Sequence, residues 1–290
     1  MFRVTNRSKR RSQTMIKIDK GKILGEGAYG IVFEGTFGEQ QVAVKRIQTA
    51  YIVSNEKEEA ALKKLDHPNV IKLFHICSDE EFRYYALELC QSSLEKLFLK
   101  IDSPKKYRGP MPSQKEVLLQ LAEGLEYIHI NGLIHRDLKP ENVLIWADST
   151  GKTVLMKWAD FGLSKPVNER GSHSISGVSR GTDNWYAPEI LKIMVEQEEN
   201  ENKSSPRQRG TIKSDVFTEG LIFAYYLLNG VHPFGSRFER VPNIIADNPS
   251  VHVSKIQGPI HGLIMEMLKH NPEERISSSE VVEKIRLMQF

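Results

Sequence analysis

Residues 135–142 read His135-Arg136-Asp137-Leu138-Lys139-Pro140-Glu141-Asn142, and this stretch decides the fold that the sequence predicts. Asp137 can accept a proton from a nearby hydroxyl, and Lys139 can contact an anion. Asn142 offers a neutral oxygen to a divalent cation. Arg136 places a further cation beside the acid. A charged surface loop is the alternative interpretation, and the motifs around the stretch count against it.

A second motif, Asp160-Phe161-Gly162, begins 18 residues after Asn142. A carboxylate is a natural ligand for a hard cation that bridges phosphate oxygens, so Asp160 is a candidate metal ligand. Phe161 is expected to pack inward and to set the direction of Asp160. The segment that starts here closes at Ala187-Pro188-Glu189.

A glycine-rich stretch, Gly25-Glu26-Gly27-Ala28-Tyr29-Gly30-Ile31-Val32, lies near the start of the chain. Phosphates need main-chain amides at close range, and residues without a side chain allow that approach. Taken alone, the motif also fits a tight hairpin or a dinucleotide site. Val32 favours a strand-turn-strand arrangement, whereas a dinucleotide site would have a helix at this point.

Lys45 lies in the apolar strand 42–45, 15 residues after Gly30. A buried ammonium group needs an anion, and nucleotide phosphates together with a helix glutamate would supply two. We expect Glu58 to be that glutamate because Leu62 follows one turn later. Glu59 is the alternative in the same acidic run.

The order and spacing of these five elements resemble the eukaryotic protein kinase superfamily over residues 16–287. The resemblance implies an α+β fold with two lobes and with ATP and Mg²⁺ as cofactors. The small lobe would hold a five-stranded antiparallel sheet and one helix, and the large lobe would be mainly helical. Lys-Pro-Glu after Asp137, and Thr182 seven residues before Glu189, resemble the serine/threonine group.

The resemblance also assigns roles to individual residues. The catalytic residues would be Asp137, Lys139, Lys45 and Glu58, and the metal ligands Asn142 and Asp160. The ATP-binding residues would be Leu24, Gly25, Gly27, Gly30, Val32, Ala43, Lys45, Leu87, Glu88, Cys90 and Leu144. The structural residues would be His135, Arg136, Phe161, Thr182, Glu189, Asp215 and Arg275. Within that set, Asp215 would tether the catalytic loop and Glu189 would pair with Arg275.

A closer resemblance lies in residues 85–90, 181–189 and 230–235 and in the serine spacing of 174–179. These stretches are similar to the kinase domain of the inositol-requiring unfolded-protein-response sensor family. That family adds a lumenal sensor, a membrane helix and a ribonuclease domain. We expect none of these parts here, and therefore neither membrane residence nor RNA cleavage.

The sequence predicts one kinase domain at residues 16–290, with an N-lobe at 16–90 and a C-lobe at 91–290. Residues 1–15 form a basic tail that we expect to be disordered, with a nuclear-import or membrane-surface patch as the alternative. Residues 196–210 have no apolar content, and we expect them to form a mobile insert. Helices are expected near 54–65, after the Ser113-x-x-Glu116 capping box, and after a Ser214 cap.

Composition indicates which class of protein to expect and where in the cell it is expected. The longest apolar run has eight residues, far short of the roughly 20 that a membrane helix needs. Two cysteines suit a reducing compartment, so a cytoplasmic location is expected, or a nuclear one through the basic tail. The formal net charge is +3 and is concentrated in the tail, which gives no reason to expect nucleic-acid binding.

The segment between Asp160 and Glu189 contains three serines, Ser174, Ser176 and Ser179, that are candidate phosphorylation sites. A phosphate there could bridge nearby cations and order the segment. The alternative is that the serines only keep the loop flexible and soluble.

Together these features predict a protein serine/threonine kinase. It would transfer the γ-phosphoryl group of ATP to protein hydroxyls, including those of a second copy through self-association. The alternative is a catalytically weak kinase fold that serves as an interaction or nucleotide-sensing module.

Overall fold

The structure is a computed structural model of the 290-residue chain. It describes residues 15–27, 30–49, 59, 63–168, 171–174, 183–199 and 209–290. These residues divide into two compact units, the first from the described parts of 15–49 and 73–89 and the second from those of 59–72 and 90–290. Among the described residues, no helix is both long and apolar enough to span a membrane.

The first unit is a five-stranded antiparallel sheet in the order β1-β2-β3-β5-β4, as the sequence predicted. Its strands are β1 (Ile16–Gly27), β2 (Gly30–Phe37), β3 (Gln40–Gln48), β4 (Leu73–Ser78) and β5 (Phe82–Glu88). Side chains alternate between the faces of a strand. Val42, Val44 and Ala86 therefore form a buried core on one face.

The residues just before β4, which starts at Leu73, do not belong to the sheet. Val70 makes only an isolated bridge to Trp158, and the main chain of Asn69 accepts a 2.9 Å hydrogen bond from Trp158. The Asn69 side chain also donates to the carbonyl of Met156 at 2.9 Å. These bonds tie the residues before β4 to the second unit, although the sequence placed them in the N-lobe.

The helix expected at residues 54–65 is described only in part. Glu59, Lys63 and Lys64 are helical, and Leu65 lies outside the helix. Glu58 lies outside the described residues.

The second unit contains the helices. They are α1 (Leu94–Leu97), α2 (Gln114–Ile130), α3 (Pro188–Glu199), α4 (Ile212–Leu227), α5 (Arg240–Ile245), α6 (Pro259–Met267) and α7 (Ser278–Leu287). The predicted capping box starts α2: the Ser113 hydroxyl accepts from the main chain of Glu116, whose carboxylate accepts from Ser113.

Helix α4 is buried on all sides from Ser214 to Tyr225, which fits its nearly continuous apolar sequence. Its N-cap is Thr211, however, and not the expected Ser214. The Thr211 hydroxyl accepts from the main chain of Lys213. Ser214 lies inside the first turn, where its hydroxyl donates to Glu189 at 2.9 Å instead of capping the helix.

Short strands connect the helices of the second unit. A three-stranded sheet has the order β6 (Ser92–Ser93), β8 (Val143–Ala147) and β9 (Val154–Trp158). Strand β7 (Leu133–Ile134) pairs with β10 (Lys165–Pro166). Strands β8 and β9 form a hairpin between Asn142 and Asp160, so the two predicted metal ligands lie at the two ends of this hairpin.

The expected insert at 196–210 is shorter at both ends. Helix α3 continues to Glu199, because glutamate and glutamine extend a helix readily once it has formed. At the other end, β12 (Arg209–Thr211) pairs antiparallel with β11 (Ser172–Ser174). Residues 200–208 lie outside the described part.

Candidate active site

The residues between β7 and β8 bring three predicted catalytic side chains together. Lys139 Nζ donates to Asp137 Oδ2 at 2.7 Å, and Asn142 Nδ2 donates to the same oxygen at 3.0 Å. The second oxygen of Asp137, Oδ1, is buried and has no hydrogen-bond partner in the described part of the chain. One carboxylate oxygen is thus held in place, and the other is available as a proton acceptor.

Asn142 is also fixed to the loop that precedes it. Its amide donates to the main-chain oxygen of Asp137 at 2.8 Å, which directs its side-chain oxygen elsewhere. The main chain of Ala159 donates to the Asn142 carbonyl at 2.9 Å, so Asp160 follows directly on a residue bonded to Asn142.

Two residues of this region hold an unusual main-chain conformation. Arg136 has a φ of 72° and Asp160 a φ of 65°, values that residues other than glycine rarely adopt. Such conformations persist where surrounding contacts impose them, and they concentrate at functional sites.

Asp215 supplies the contacts that hold Arg136. Its carboxylate accepts from the main-chain amides of His135 at 2.7 Å and Arg136 at 3.0 Å. Burial by itself would raise the pKa of Asp215, but the hydrogen bond and charge of His129, with the main-chain bonds, hold this pKa below its usual value. An ionised carboxylate is the form that accepts all of these bonds.

His135 and Phe161 form the inner side of the site. Their ring centroids are 4.7 Å apart, and His135 Nε2 contacts the Ala159 carbonyl at 3.1 Å. Burial lowers the pKa of His135, so the ring is neutral and Nε2 donates to that carbonyl. The hydroxyl of the buried Ser164 donates to the His135 carbonyl at 3.3 Å, a contact that the sequence did not suggest.

In the first unit, one face of the sheet gathers four predicted nucleotide-binding residues. Val32 pairs with Lys45 across β2 and β3, and Ala43 pairs with Leu87 across β3 and β5. Because paired residues of antiparallel strands share a face, all four side chains lie opposite the buried Val44. Tyr85, the partner of Lys45, shares this face.

The three glycines of the glycine-rich stretch differ in what requires them. A Cβ added at Gly30 would overlap the carbonyl oxygen of Arg46, so the sheet itself demands glycine there. No described atom lies within 4 Å of a Cβ added at Gly25 or Gly27. Packing among the described residues therefore does not require glycine at these two positions.

The remaining nucleotide-binding candidates lie at strand ends and in β8. Leu24 is in β1 with 38% of its surface exposed, and Glu88 ends β5. Cys90 follows and is half-buried, and Leu144 lies in β8.

Glu189 and Arg275 form a buried ion pair. Arg275 Nη1 lies 2.8 Å from Glu189 Oε1, and Nη2 lies 3.1 Å from Oε2. The same guanidinium also donates to the carbonyls of Lys213, Lys269 and His270. Arg275 therefore joins α3 to the first turn of α4 and to the segment between α6 and α7.

Four candidates, Glu58, Ser176, Ser179 and Thr182, lie outside the described residues. Ser174 is described as a main-chain member of β11, opposite Arg209. Glu59, the alternative to Glu58, forms an ion pair with Lys63 one turn further along its helix.

Sequence reasoning missed several buried polar residues. They are His129, Ser278, Glu219 and His232, each less than 9% exposed. His232 lies in the stretch 230–235 quoted for the family resemblance, but it was given no role there. The other three belong to no quoted motif, and their only signal is a polar residue at a helical position that an apolar pattern would fill, as with His129 one position after Ile128.

The donor set fits Mg²⁺ only in combination with phosphate. Across the described residues, no group of three or more His, Cys, Asp and Glu side chains could hold a metal ion by itself. Mg²⁺ is usually held by one or two protein ligands together with substrate phosphates. The side-chain oxygen of Asn142 and the carboxylate of Asp160 suit that arrangement.

Comparison with known proteins agrees with this geometry. The model of the protein kinase domain matches residues 18–285. The chain is 34% identical over 271 residues to the serine/threonine-protein kinase/endoribonuclease ire-1 of Caenorhabditis elegans, covering 90% of this chain and 26% of that protein. It is 34% identical over 279 residues to the human serine/threonine-protein kinase/endoribonuclease IRE2, covering 92% and 28%.

A third relative is the sensor for unfolded proteins in the ER, ire1, of Schizosaccharomyces pombe. It is 32% identical over 273 residues, covering 88% of this chain and 25% of that protein. The chain thus spans about a quarter of the length of these curated relatives. With a matching domain model over most of its length and relatives above 30% identity, the chain belongs to the protein kinase family.

Proposed function

We propose that the chain is a Mg·ATP-dependent protein kinase that phosphorylates serine or threonine hydroxyls of proteins. The observation that carries the proposal is the Asp137 carboxylate, with Oδ2 held by Lys139 and Asn142 and with Oδ1 buried and unpartnered among the described residues. A positioned acceptor of this kind is what an attacking hydroxyl needs.

The chemistry follows from these positions. The substrate hydroxyl oxygen forms a bond to the γ-phosphorus of ATP while its proton passes to Asp137 Oδ1. The bond between the γ-phosphorus and the bridging oxygen of ADP breaks in the same transfer. Lys139 lies against the carboxylate, where its ammonium can neutralise charge on the transferred group. Asn142 and Asp160 would hold Mg²⁺, which neutralises charge on the phosphate oxygens.

The proposal includes phosphorylation of the chain's own activation segment, the segment from Asp160 to Glu189, at Ser174, Ser176 or Ser179. Support comes from the position of these serines between Asp160 and Glu189 and from relatives that are named serine/threonine-protein kinases. A second copy of the chain would supply the catalytic site, since a segment seldom reaches its own Asp137.

The test is incubation of purified chain with Mg·ATP and an unbiased peptide array, with mass spectrometry of the chain itself. Asp137→Asn should lower the rate of transfer by several orders of magnitude while ATP binding persists, because the proton acceptor is lost. Asp247→Asn is the control, since Asp247 is exposed and its φ of 53° suits asparagine.

Near-normal turnover of Asp137→Asn would contradict the assignment of the base. ATP binding by the parent chain without any transfer would favour the nucleotide-sensing alternative. Absence of phosphate on residues 172–180, with equal activity after all three serines are changed to alanine, would end the self-phosphorylation part.

A further inference from the structure

Three buried polar side chains form a continuous hydrogen-bonded row behind the catalytic loop. Ser278 Oγ lies 3.0 Å from His129 Nδ1, and His129 Nε2 lies 3.2 Å from Asp215 Oδ2. The three residues are 5%, 8% and 3% exposed. Because the three side chains are buried, water cannot easily replace a lost partner. Removal of one hydrogen bond should therefore affect the position of the next side chain in the row.

Each member of the row comes from a different helix. Asp215 is in α4, His129 is in the last turn of α2, and Ser278 is the first residue of α7. The N-cap role in α7 is filled by Ser277, whose hydroxyl accepts from the main chain of Glu280. Capping therefore does not explain the Ser278 hydroxyl.

The direction of the bonds follows from Asp215. Its carboxylate accepts, so Nε2 of His129 must carry the proton that it donates. The Ser278 hydroxyl lies 3.0 Å from the other ring nitrogen, Nδ1, where a hydroxyl can either donate or accept a hydrogen bond. Asp215 fixes which nitrogen is protonated, and Ser278 fixes the position and plane of the ring.

The row ends on the main chain of the catalytic loop. The Asp215 oxygen that contacts His129 also accepts from the amide of His135, and its other oxygen accepts from Arg136. Arg136 holds its φ of 72° only while such contacts persist. The orientation of the Asp215 carboxylate thus bears directly on the residue before Asp137.

We propose that Ser278 is a positioning residue for phosphoryl transfer, acting through His129 and Asp215 on the main chain that carries Asp137. This inference rests on the proposed kinase activity for its consequence in catalysis. Its consequence for the catalytic-loop amides does not depend on that activity.

The test compares Ser278→Ala with Ser279→Ala. Both serines lie in the first turn of α7, but Ser279 is exposed. Loss of one buried hydrogen bond should lower kcat about 3- to 10-fold in Ser278→Ala, with KM for ATP within about twofold of the parent. Exchange of the His135 and Arg136 amides, followed by NMR, should become faster by a similar factor. Ser279→Ala should match the parent in both measurements.

A double-mutant cycle separates the relay from a general loss of stability. In a His129→Gln background, Ser278→Ala should have no further effect on kcat or on the two amides, because the connecting ring is gone. Ser278→Thr keeps the hydroxyl, so its kcat and the exchange rates of the His135 and Arg136 amides should be close to those of the parent.

The proposal is overturned if Ser278→Ala matches Ser279→Ala in amide exchange, or if it speeds exchange without lowering kcat. It is also overturned if Ser278→Ala lowers kcat and speeds amide exchange by the same factors in the His129→Gln background as in the parent. If the parent chain itself transfers no phosphate, the proposed function fails, and unaltered amide exchange in Ser278→Ala then decides against the relay independently.

Discussion

Asp215 and Glu219 lie one turn apart on the buried helix α4, but their carboxyl groups have opposite surroundings. Asp215 accepts from two main-chain amides and from His129. Glu219 is fully buried, and neither of its oxygens has a hydrogen-bond partner among the described residues. Burial and the nearby charge of Asp215 raise the pKa of Glu219 well above its usual value. The raised pKa favours the neutral form of Glu219, and the carboxyl is a buried polar group without a hydrogen-bond partner among the described residues.

We predict that Glu219→Leu stabilises the protein. An unsatisfied buried polar group costs about 1–3 kcal/mol, and leucine of similar volume removes that cost. Because the pKa of Glu219 is raised, the stability that its neutral form permits is complete below about pH 4.5 and is lost as pH rises toward the raised pKa. The gain in the free energy of unfolding should therefore grow between pH 5 and pH 8 in urea titrations.

The control for this change is Glu273→Leu at an exposed site, which should alter stability by less than about 0.5 kcal/mol. A Glu219→Leu protein that unfolds at lower urea than the parent at every pH would mean that the carboxyl has a stabilising partner.

Candidate site residues that are close in sequence are also close in the structure. Asp137, Lys139 and Asn142 stand within six positions, and the structure joins them by hydrogen bonds of 2.7 and 3.0 Å. His129 and Ser278 lie 149 positions apart, and only tertiary packing makes them partners. Their roles could not be read from local spacing.

Helices and strands with a strong sequence signal, such as a capping box or alternating apolar residues, were predicted correctly. Their first and last residues were predicted less accurately. The alternating strands and the Ser113 capping box appear as expected. The start of α4 was placed three residues late, because Ser214 and Thr211 are both suitable caps and their sequence context does not separate them. Strands β8 and β9 were missed in a region that had been interpreted as mainly helical.

The junction of three elements at Arg275 leads to a second prediction. Arg275 is fully buried, pairs with Glu189 and has its guanidinium carbon 4.9 Å from the centre of the Phe217 ring. Arg275→Met should lower the free energy of unfolding by about 3–5 kcal/mol, because it leaves the carboxylate of Glu189 and three carbonyl groups without their donor.

A matched surface pair supplies the comparison. Arg286 is 58% exposed and lies 2.8 Å from Glu123, so Arg286→Met should lower the free energy of unfolding much less than Arg275→Met does. Both variants can be measured by urea denaturation at one pH. Equal losses in the two would show that burial does not govern the strength of the Glu189–Arg275 pair.

At the scale of the whole chain, family and fold class were predictable because the kinase motifs extend over most of the length. The response of the molecule to pH was not, since it depends on how deeply individual titratable groups are buried. His232 is 1% exposed, its Nε2 lies 2.8 Å from the Asn184 carbonyl, and its Nδ1 accepts from the main chain of Phe234 at 3.1 Å. Both bonds require a neutral ring with its proton on Nε2.

We therefore predict that His232 contributes to acid unfolding. Burial, reinforced by the charge of Arg240, lowers the pKa of His232 from 6.5 to about 3. A lowered histidine pKa means that the unfolded chain binds the proton more readily, so stability is complete above about pH 6.5 and falls as pH drops toward about 3. In His232→Gln the free energy of unfolding should fall less steeply over this range, by up to about 1.4 kcal/mol per pH unit. Urea titrations from pH 4.5 to 7.5 measure that slope, with the partly exposed His261→Gln as control. Parallel slopes for His232→Gln and the parent would show that this ring gains its proton in the folded state without cost.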